Sequence, residues 1–403
     1  MAEALKPRDH KQVEDAVKWA LAEGKTLEVV GGGSKRVLGR PSQCDLTLDL
    51  SALDGVTLYE PDELVLSAKA ATPMAEIEKL VDGKNQQLAF EPIDYGPLLG
   101  VTAGGTIGGA LAAGLAGPRR IKAGSARDHF LGFTGVSGRG ETFKSGGRVV
   151  KNVTGYDLCK LMAGSFGTLA AMTDVTVKVL PKPETEETLL LTGLEDVRAS
   201  RAMTAAMASS CDVSGAAHLP GHVAMRFSGL GGSSTTAFRI EGVAPSVKHR
   251  KAALAALLES YGRTDSLDEK ASRILWRDVR DVRPFAADGA HGDRPVWRVS
   301  VPPARGFELN ALLEPSVEMF YDWAGGLIWI APLAAHDGGA NMVRKAVATI
   351  GGHATLIRAP VPVRAAVDVF EPQPGPVAAL SKRVKESFDP KGVLNPGRMW
   401  AGV

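Results

Sequence analysis

Two glycine clusters carry the strongest chemical signal in this chain. One is Gly31-Gly32-Gly33, followed by Ser34, Lys35 and Arg36; the other is Gly104-Gly105-Thr106-Ile107-Gly108-Gly109, preceded by Thr102. Successive backbone N–H groups in such loops form nests that cradle anionic oxygens, and the missing side chains let the main chain approach closely. Each cluster alone also reads as a tight turn; together they suit a pyrophosphate and point to a dinucleotide. The familiar nucleotide fingerprints are absent. Gly24-Lys25-Thr26 mimics the end of a phosphate-binding loop, but Trp19 stands where the first glycine should be, and no G-x-G-x-x-G links a strand to a helix.

Other polar groups need weighing one by one. Arg119-Arg120 directly follows the uncharged, glycine-rich run from Tyr95 to Pro118, and guanidinium matches planar anions. Arg298 alternates with Trp297 and Val299 in a strand pattern and so faces the other side of a sheet, although exposed arginine is the norm. His218 and His222 are four apart, yet Pro220-Gly221 between them favours a surface turn over a helix face, and a metal site needs further partners. No metal is expected. His129 beside Asp128 reads as structural, Trp323 and Trp329 as core aromatics flanking a hairpin turn at Gly325-Gly326, and Lys382-Arg383-Lys385 as a solvated helix face.

The elements that must position these groups intermingle from the start. Asp9 caps a helix with Gln12 as its capping-box partner, and Gly24 ends it. A strand over 26–30 runs straight into the first glycine cluster; further strands are expected over 46–50, 64–68, 127–136 and 173–180, with a helix from Pro73 behind Thr72 and another over 156–163. Pro181 and Pro183 punctuate the chain at a domain boundary. Beyond it, helices are expected over 196–209, 245–261, 269–279 and 342–350, and strands over 222–227, 296–301, 327–331 and 353–358. The turn-rich tail from Phe388 to Arg398 must dock on something to stay ordered.

The chain has 403 residues with 47 Lys plus Arg against 45 Asp plus Glu, a net charge of +2, which excludes an electrostatic nucleic-acid binder as the default. Its 46 glycines are about 11% of the chain against a usual ~7%. Cys44, Cys159 and Cys211 offer neither a disulfide framework nor a C-x-x-C motif, which fits a reducing cytoplasm, and the first residues lack the apolar stretch of a secretory signal. The run from Tyr95 to Pro118 is long enough to span a membrane but is mostly Gly, Ala and Thr, so no span is expected.

Taken in order, Val30-Gly31-Gly32-Gly33-Ser34-Lys35, Thr102 to Gly109, Gly124-Ser125-Ala126-Arg127-Asp128-His129-Phe130-Leu131-Gly132 and Lys151-Asn152-Val153-Thr154-Gly155-Tyr156-Asp157-Leu158 resemble the FAD-binding domain of the vanillyl-alcohol oxidase (PCMH) type. Gly164-Ser165-Phe166-Gly167-Thr168-Leu169 and the closing Phe388-Asp389-Pro390 to Pro396-Gly397-Arg398 match it too. Within that superfamily the length, Leu275-Trp276-Arg277 and Pro295 to Pro302 are similar to the FAD-binding subunit of bacterial glycolate oxidase.

The resemblance implies an α+β fold: a PCMH-type FAD-binding domain of two α+β subdomains over 1–183, an α+β cap over 184–359, and a segment over 360–403 returning to the FAD domain. It implies that Gly31, Gly32, Gly33, Ser34, Lys35 and Arg36 hold the FAD pyrophosphate. Thr102, Gly104, Gly105, Thr106, Ile107, Gly108 and Gly109 would line the cofactor towards its isoalloxazine, with Arg127, Gly164, Ser165 and the backbone around Thr173 along the ribityl and adenine parts. Ala170 departs from the usual glycine, and Ser34-Lys35 stands where relatives carry a flavin-linking histidine, which implies noncovalent FAD. Oxidising a 2-hydroxy acid needs a cation for the carboxylate, a base for the hydroxyl proton and a flavin to accept hydride. Arg119, Arg120, Tyr156 and Arg298 are the candidates, with the base unassigned. The implied partners are a small 2-hydroxy acid, a second FAD subunit and an iron-sulfur subunit, since three scattered cysteines cannot hold such a cluster. The chain is expected in the cytoplasm, reaching the inner membrane only through partners. Two readings stay open: an enzyme with its own substrate site, or a relay or scaffolding subunit whose partner carries that site.

Overall fold

The computed structural model describes residues 3–148 and 155–401. Its first half is built on two sheets. A small parallel sheet sets Leu46–Asp49 between Ala4–Leu5 and Leu27–Val30. An antiparallel sheet of five strands runs Val56–Glu60, Val65–Lys69, Ala170–Lys178, Phe130–Ser137 and Thr142–Gly146 in spatial order. The first helix, His10–Ala22, buries Val13, Val17 and Ala20 on one face, as its 3.6-residue spacing requires. Asp9 Oδ1 accepts from Gln12 N at 2.8 Å, while Gln12 Oε1 reaches back one residue further than expected, to Arg8 N at 2.9 Å. The next long helix is Met74–Asp82, with Pro73 in the cap position rather than inside, because Thr72 turns its hydroxyl to the Lys69 carbonyl at 2.7 Å.

The second half is one antiparallel sheet of eight strands in the order Thr264–Leu267, Thr185–Thr192, Thr235–Gly242, Gly215–Leu219, Glu318–Asp322, Leu327–Ala331, Val296–Ser300 and His353–Arg358. Helices Asp196–Met207, Ala244–Leu258 and Ala340–Ile350 cover its outer face. Its inner face lies against the first half, where Leu219, Phe320, Val296 and Trp329 pack with Leu38, Ile93, Tyr95 and Leu98. The pleat divides neighbouring residues: Trp297 and Val299 join the outer core, while Arg298 stays out of it, its partners across the ladder being Trp329 and Thr355.

Three further expectations are corrected. Residues 222–227 form no strand: Pro220 and Gly221 open a helical turn, Gly221–Ala224, and the strand ends just before it at Leu219. His218 is consequently a buried strand residue, bonded to Thr236 Oγ1 at 2.9 Å and Asp196 Oδ1 at 3.3 Å, not a surface turn histidine. Lys385 is buried within helix Gly375–Phe388, where its ammonium meets Asp389 at 2.6 Å and the carbonyls of Thr168 and Leu394 at 2.6 and 2.8 Å. Three acceptors replace water there, so it belongs to no solvated basic face.

The tail beyond that helix docks beside the first glycine loop. Leu27 N donates to Val393 O and Asn395 N to Leu27 O, extending the small parallel sheet by one bridge. The Asn395 side chain accepts from Val29 N at 2.9 Å and donates to Phe166 O at 2.8 Å.

Candidate active site

The strand Leu27–Val30 delivers the chain into the loop 31–36, and Gly33 turns it with φ +80°, a left-handed value open to glycine. The second glycine cluster lies against this loop. A Cβ on Gly31 would stand 2.9 Å from Thr106 Oγ1, one on Gly32 2.5 Å from the Gly104 carbonyl oxygen, and one on Gly108 2.7 Å from the Ala70 carbonyl oxygen. Gly32 and Gly108 let backbones meet without a side chain between them, and Gly31 makes room for the Thr106 hydroxyl.

Together the loops form a cleft lined by Gly31 to Arg36, Thr106, Gly108 and Gly109 from the two clusters, and by Ala170, Met172, Asn395 and Arg398 from elsewhere. Lys35 reaches between the clusters, its Nζ 3.7 and 3.6 Å from where Cβ atoms on Gly105 and Gly109 would stand. Its hydrogen bond is to Ser34 Oγ at 3.1 Å, and no carboxylate among the described residues pairs with it. Burial lowers its pKa to about 8, with Asp94 acting weakly the other way. Arg398 comes in from the tail, donating to the Lys35 carbonyl at 2.6 Å, and its Nε is buried with no partner. An unpaired ammonium, an under-satisfied guanidinium and a main chain stripped of side chains fit the pyrophosphate of a dinucleotide.

Phe166 and Ala113 line this cleft and also a second cavity of about 280 Å³ between the two halves. The second cavity is walled mainly by apolar residues of the first half and receives Arg298, His353 and Thr355 from the cap sheet and Tyr95 from the other side. Arg298 is half-buried and makes no hydrogen bond or ion pair among the described residues. Its guanidinium carbon lies 5.0 Å from the Trp323 ring centroid, and Arg120 takes the same indole at 4.4 Å. Burial pulls Arg298 below its ordinary pKa, Arg120 adds to that, and Tyr95 and Asp322 oppose it.

The remaining expected site residues are dispersed. Gly104 is exposed with open space above it and Gly105 lies beside Lys35, but neither lines the cleft; Thr102 is exposed and does not line it, and Ile107 is buried in the core beneath. Gly164 lines the second cavity and Ser165 is buried next to it. Thr173 is buried, its hydroxyl donating to Asp174 at 2.9 Å, so that Met172 and not Thr173 meets the cleft. Arg127 is exposed and donates to the Lys160 carbonyl at 3.2 Å. Tyr156 is 90% exposed and lines neither cavity. Of the phrase from Lys151 to Leu158, residues 151–154 lie outside the described residues. Arg119 is committed elsewhere: its guanidinium meets Glu91 at 2.9 Å and Glu241 at 2.6 and 3.0 Å, leaving no face for a ligand.

Tyr95, His353, Thr355, Asn395 and Arg398 join the two cavities without having been singled out. Alternation could have flagged Thr355 and His353, which share a face of one strand; the tail was marked by its closing motif, but which of its side chains enter the cleft, like the position of Tyr95, depends on contacts far apart in the chain.

Residues 2–146 match the FAD binding domain family. Over 98% of its length the chain is 30% identical to glycolate oxidase subunit GlcE of Escherichia coli (strain K12), covering 99% of that protein. An 85-residue stretch is 45% identical to glycolate oxidase subunit GlcD of Bacillus subtilis (strain 168), 21% of this chain and 18% of the relative. A 144-residue stretch is 31% identical to a D-lactate dehydrogenase of Anaerostipes hadrus, 36% of this chain and 29% of the relative. Among solved structures, an alkyldihydroxyacetonephosphate synthase superposes with a TM-score of 0.71 at 17% identity over 98% of this chain and 75% of that one. p-Cresol methylhydroxylase gives 0.71 at 12% identity over 98% and 88%. These two establish the α+β, PCMH-type fold alone. The full-length match sets the family: this chain belongs with the glycolate oxidase subunit GlcE, as an FAD-dependent oxidoreductase whose cofactor is FAD.

Proposed function

We propose that this chain is an FAD-carrying subunit of a glycolate (D-2-hydroxy acid) dehydrogenase complex. It would oxidise glycolate to glyoxylate in its own second cavity and pass the electrons to a partner subunit. The observation that carries the reading is Arg298, a guanidinium with no ion-pair partner among the described residues, in a cavity that shares Phe166 and Ala113 with the cofactor cleft. A small hydroxy acid would supply the missing carboxylate, and guanidinium–carboxylate pairing in such surroundings is both strong and directional.

FAD held in the cleft would supply the acceptor for the hydride that leaves C2. Lys35, Arg398 and the glycine loops hold its anionic centre, noncovalently, since no His or Cys lines the cleft among the described residues. Arg298 orients the carboxylate, and Tyr95 offers its hydroxyl from the opposite wall. Trp323, fixed by its Nε1 bond to the Gly117 carbonyl at 2.9 Å, keeps Arg298 and Arg120 in place through its ring faces. No helix among the described residues is long and apolar enough to cross a membrane; a cytoplasmic subunit that meets a membrane through its partners fits that.

Arg298→Met tests the assignment. The variant should keep its full complement of flavin but bind oxalate, a non-oxidisable mimic, about 100-fold more weakly, as lost charge-assisted contacts cost about 3 kcal/mol. Binding is read from the perturbed flavin spectrum. Unchanged oxalate affinity would place the substrate site elsewhere and leave this chain as a relay.

A further inference from the structure

Among the described residues, four side chains bring an O–H or N–H group to the second cavity: Tyr95, Arg298, His353 and Thr355. Removing the hydroxyl proton of a 2-hydroxy acid requires a group with a free lone pair that is basic near neutrality. Arg298 has none to offer, Thr355 is an alcohol, and burial raises the Tyr95 phenol further above its already high value, leaving it a donor. We propose that His353 is the catalytic base of this chain, taking the hydroxyl proton of a 2-hydroxy acid whose carboxylate is held by Arg298. The proposal rests on the reading of the second cavity as the hydroxy-acid site.

The sheet register supports the pairing. Thr355 lies directly opposite Arg298 on the neighbouring strand, so His353, two residues along, is its diagonal neighbour on the same face. Diagonal neighbours have backbones roughly 7–8 Å apart, near enough for two long side chains to converge on one small molecule. His353 lines the cavity and is the first, exposed residue of its strand, so the proton can pass on to water.

The charges around the imidazole favour its neutral, proton-accepting form. Partial burial lowers its pKa, and Arg298 on the adjacent strand lowers it next; Arg120 from the first half and Arg344 from helix Ala340–Ile350 act in the same direction. Glu371, the opposing acid, is already engaged by Arg344. In the reaction the O–H bond breaks and an N–H bond forms on the imidazole. The electron pair left on oxygen would close the carbonyl as the C2 hydrogen leaves as hydride, for which bound oxidised FAD would be the acceptor, giving a 2-oxo acid and an imidazolium that returns its proton to solvent.

The test is anaerobic stopped-flow bleaching of the FAD-loaded chain by glycolate, from about pH 5 to about pH 9, on the wild type, His353→Asn and His353→Gln, with oxalate affinity measured in parallel. The wild-type rate should rise with pH through a limb below about 6.5 and then level off. Both variants should bleach about 100-fold or more slowly and lose that limb, with oxalate affinity held within about threefold. Variant rates close to wild type with the limb intact would overturn the assignment. So would a parallel loss of oxalate binding, which marks a structural role. A wild type that binds FAD but never bleaches would instead remove the hydroxy-acid reading, and the base with it.

Discussion

At the scale of single residues, Lys35 is the group through which the proposed cleft would hold an anionic cofactor without a covalent bond. An ammonium held half-buried between two glycine loops, with only Ser34 Oγ as partner among the described residues, is unstable by itself and stabilised by an anion. Its folded pKa of about 8 lies below the ordinary lysine value, so without cofactor the group costs stability below about pH 8, and that cost is relieved as pH rises towards about 10.4. With a pyrophosphate beside it the sign reverses, and FAD affinity should weaken as the lysine loses its proton. Lys35→Met should reduce FAD affinity by about 10- to 100-fold, the worth of a charge-assisted contact, and abolish the alkaline decline. Fluorescence quenching of free FAD titrated with apoprotein reads both effects; equal affinity in wild type and variant would remove Lys35 from the site.

At the scale of elements, the cap sheet is fastened to the FAD-binding half by a buried ion cluster. Arg239 on strand Thr235–Gly242 meets Glu91 at 2.8 and 3.0 Å; Arg119 bridges Glu91 to Glu241; and the Trp276 ring lies 4.8 Å from the Arg239 guanidinium. Burial would raise the Glu241 carboxyl, but the two arginines win and hold it at about 2. Its stabilising effect is therefore present above the ordinary carboxylate range and is lost as pH falls towards about 2. Glu241→Gln should lower stability at neutral pH by about 3 kcal/mol, because two arginines lose a buried counter-charge, and should flatten the acid limb of a thermal-melt series. An unchanged acid limb would deny the cluster that role.

The same scale shows what could be read along the chain. The first helix, the strand entering Gly31 and the helix Glu269–Arg280 announce themselves by cap residues and by spacing. Strands such as Gly215–Leu219 and Glu318–Asp322 do not. The sheet is covered on both faces there, so alternation is replaced by short, wholly buried runs in which His218 and Tyr321 hide among apolar neighbours. The glycine loops were legible because close backbone approach demands glycine. Arg119 misled because its anion proved to be two glutamates of the protein itself, one 28 and one 122 residues away.

At the scale of the whole molecule, the chain closes on itself around the glycine-loop cleft. Asn395 ties strand Leu27–Val30 to the Phe166 turn, Arg398 holds the Lys35 carbonyl, and both line the cleft, although they lie some 360 residues from the loop they complete. Lys385 and Asp389 lock the preceding helix beneath them, and Asp389 also accepts from the backbone of Val393 and Leu394 at 2.8 Å. Asn395→Ala leaves the Val29 amide and the Phe166 carbonyl without partners and should cost about 1–3 kcal/mol while loosening FAD. Limited proteolysis should then cut the tail faster in the apoprotein than in the FAD-loaded form. Equal cutting in both would show that the tail and the cofactor site are not coupled.

The account stands most directly on the anaerobic visible spectrum of the purified chain, recorded before and after glycolate is added. An FAD-loaded chain that bleaches without any partner subunit is the predicted result, since the cofactor cleft and the cavity holding Arg298 belong to this one chain. A flavin band that stays unchanged until a partner is supplied would contradict it, and would move the oxidation of the hydroxy acid to that partner.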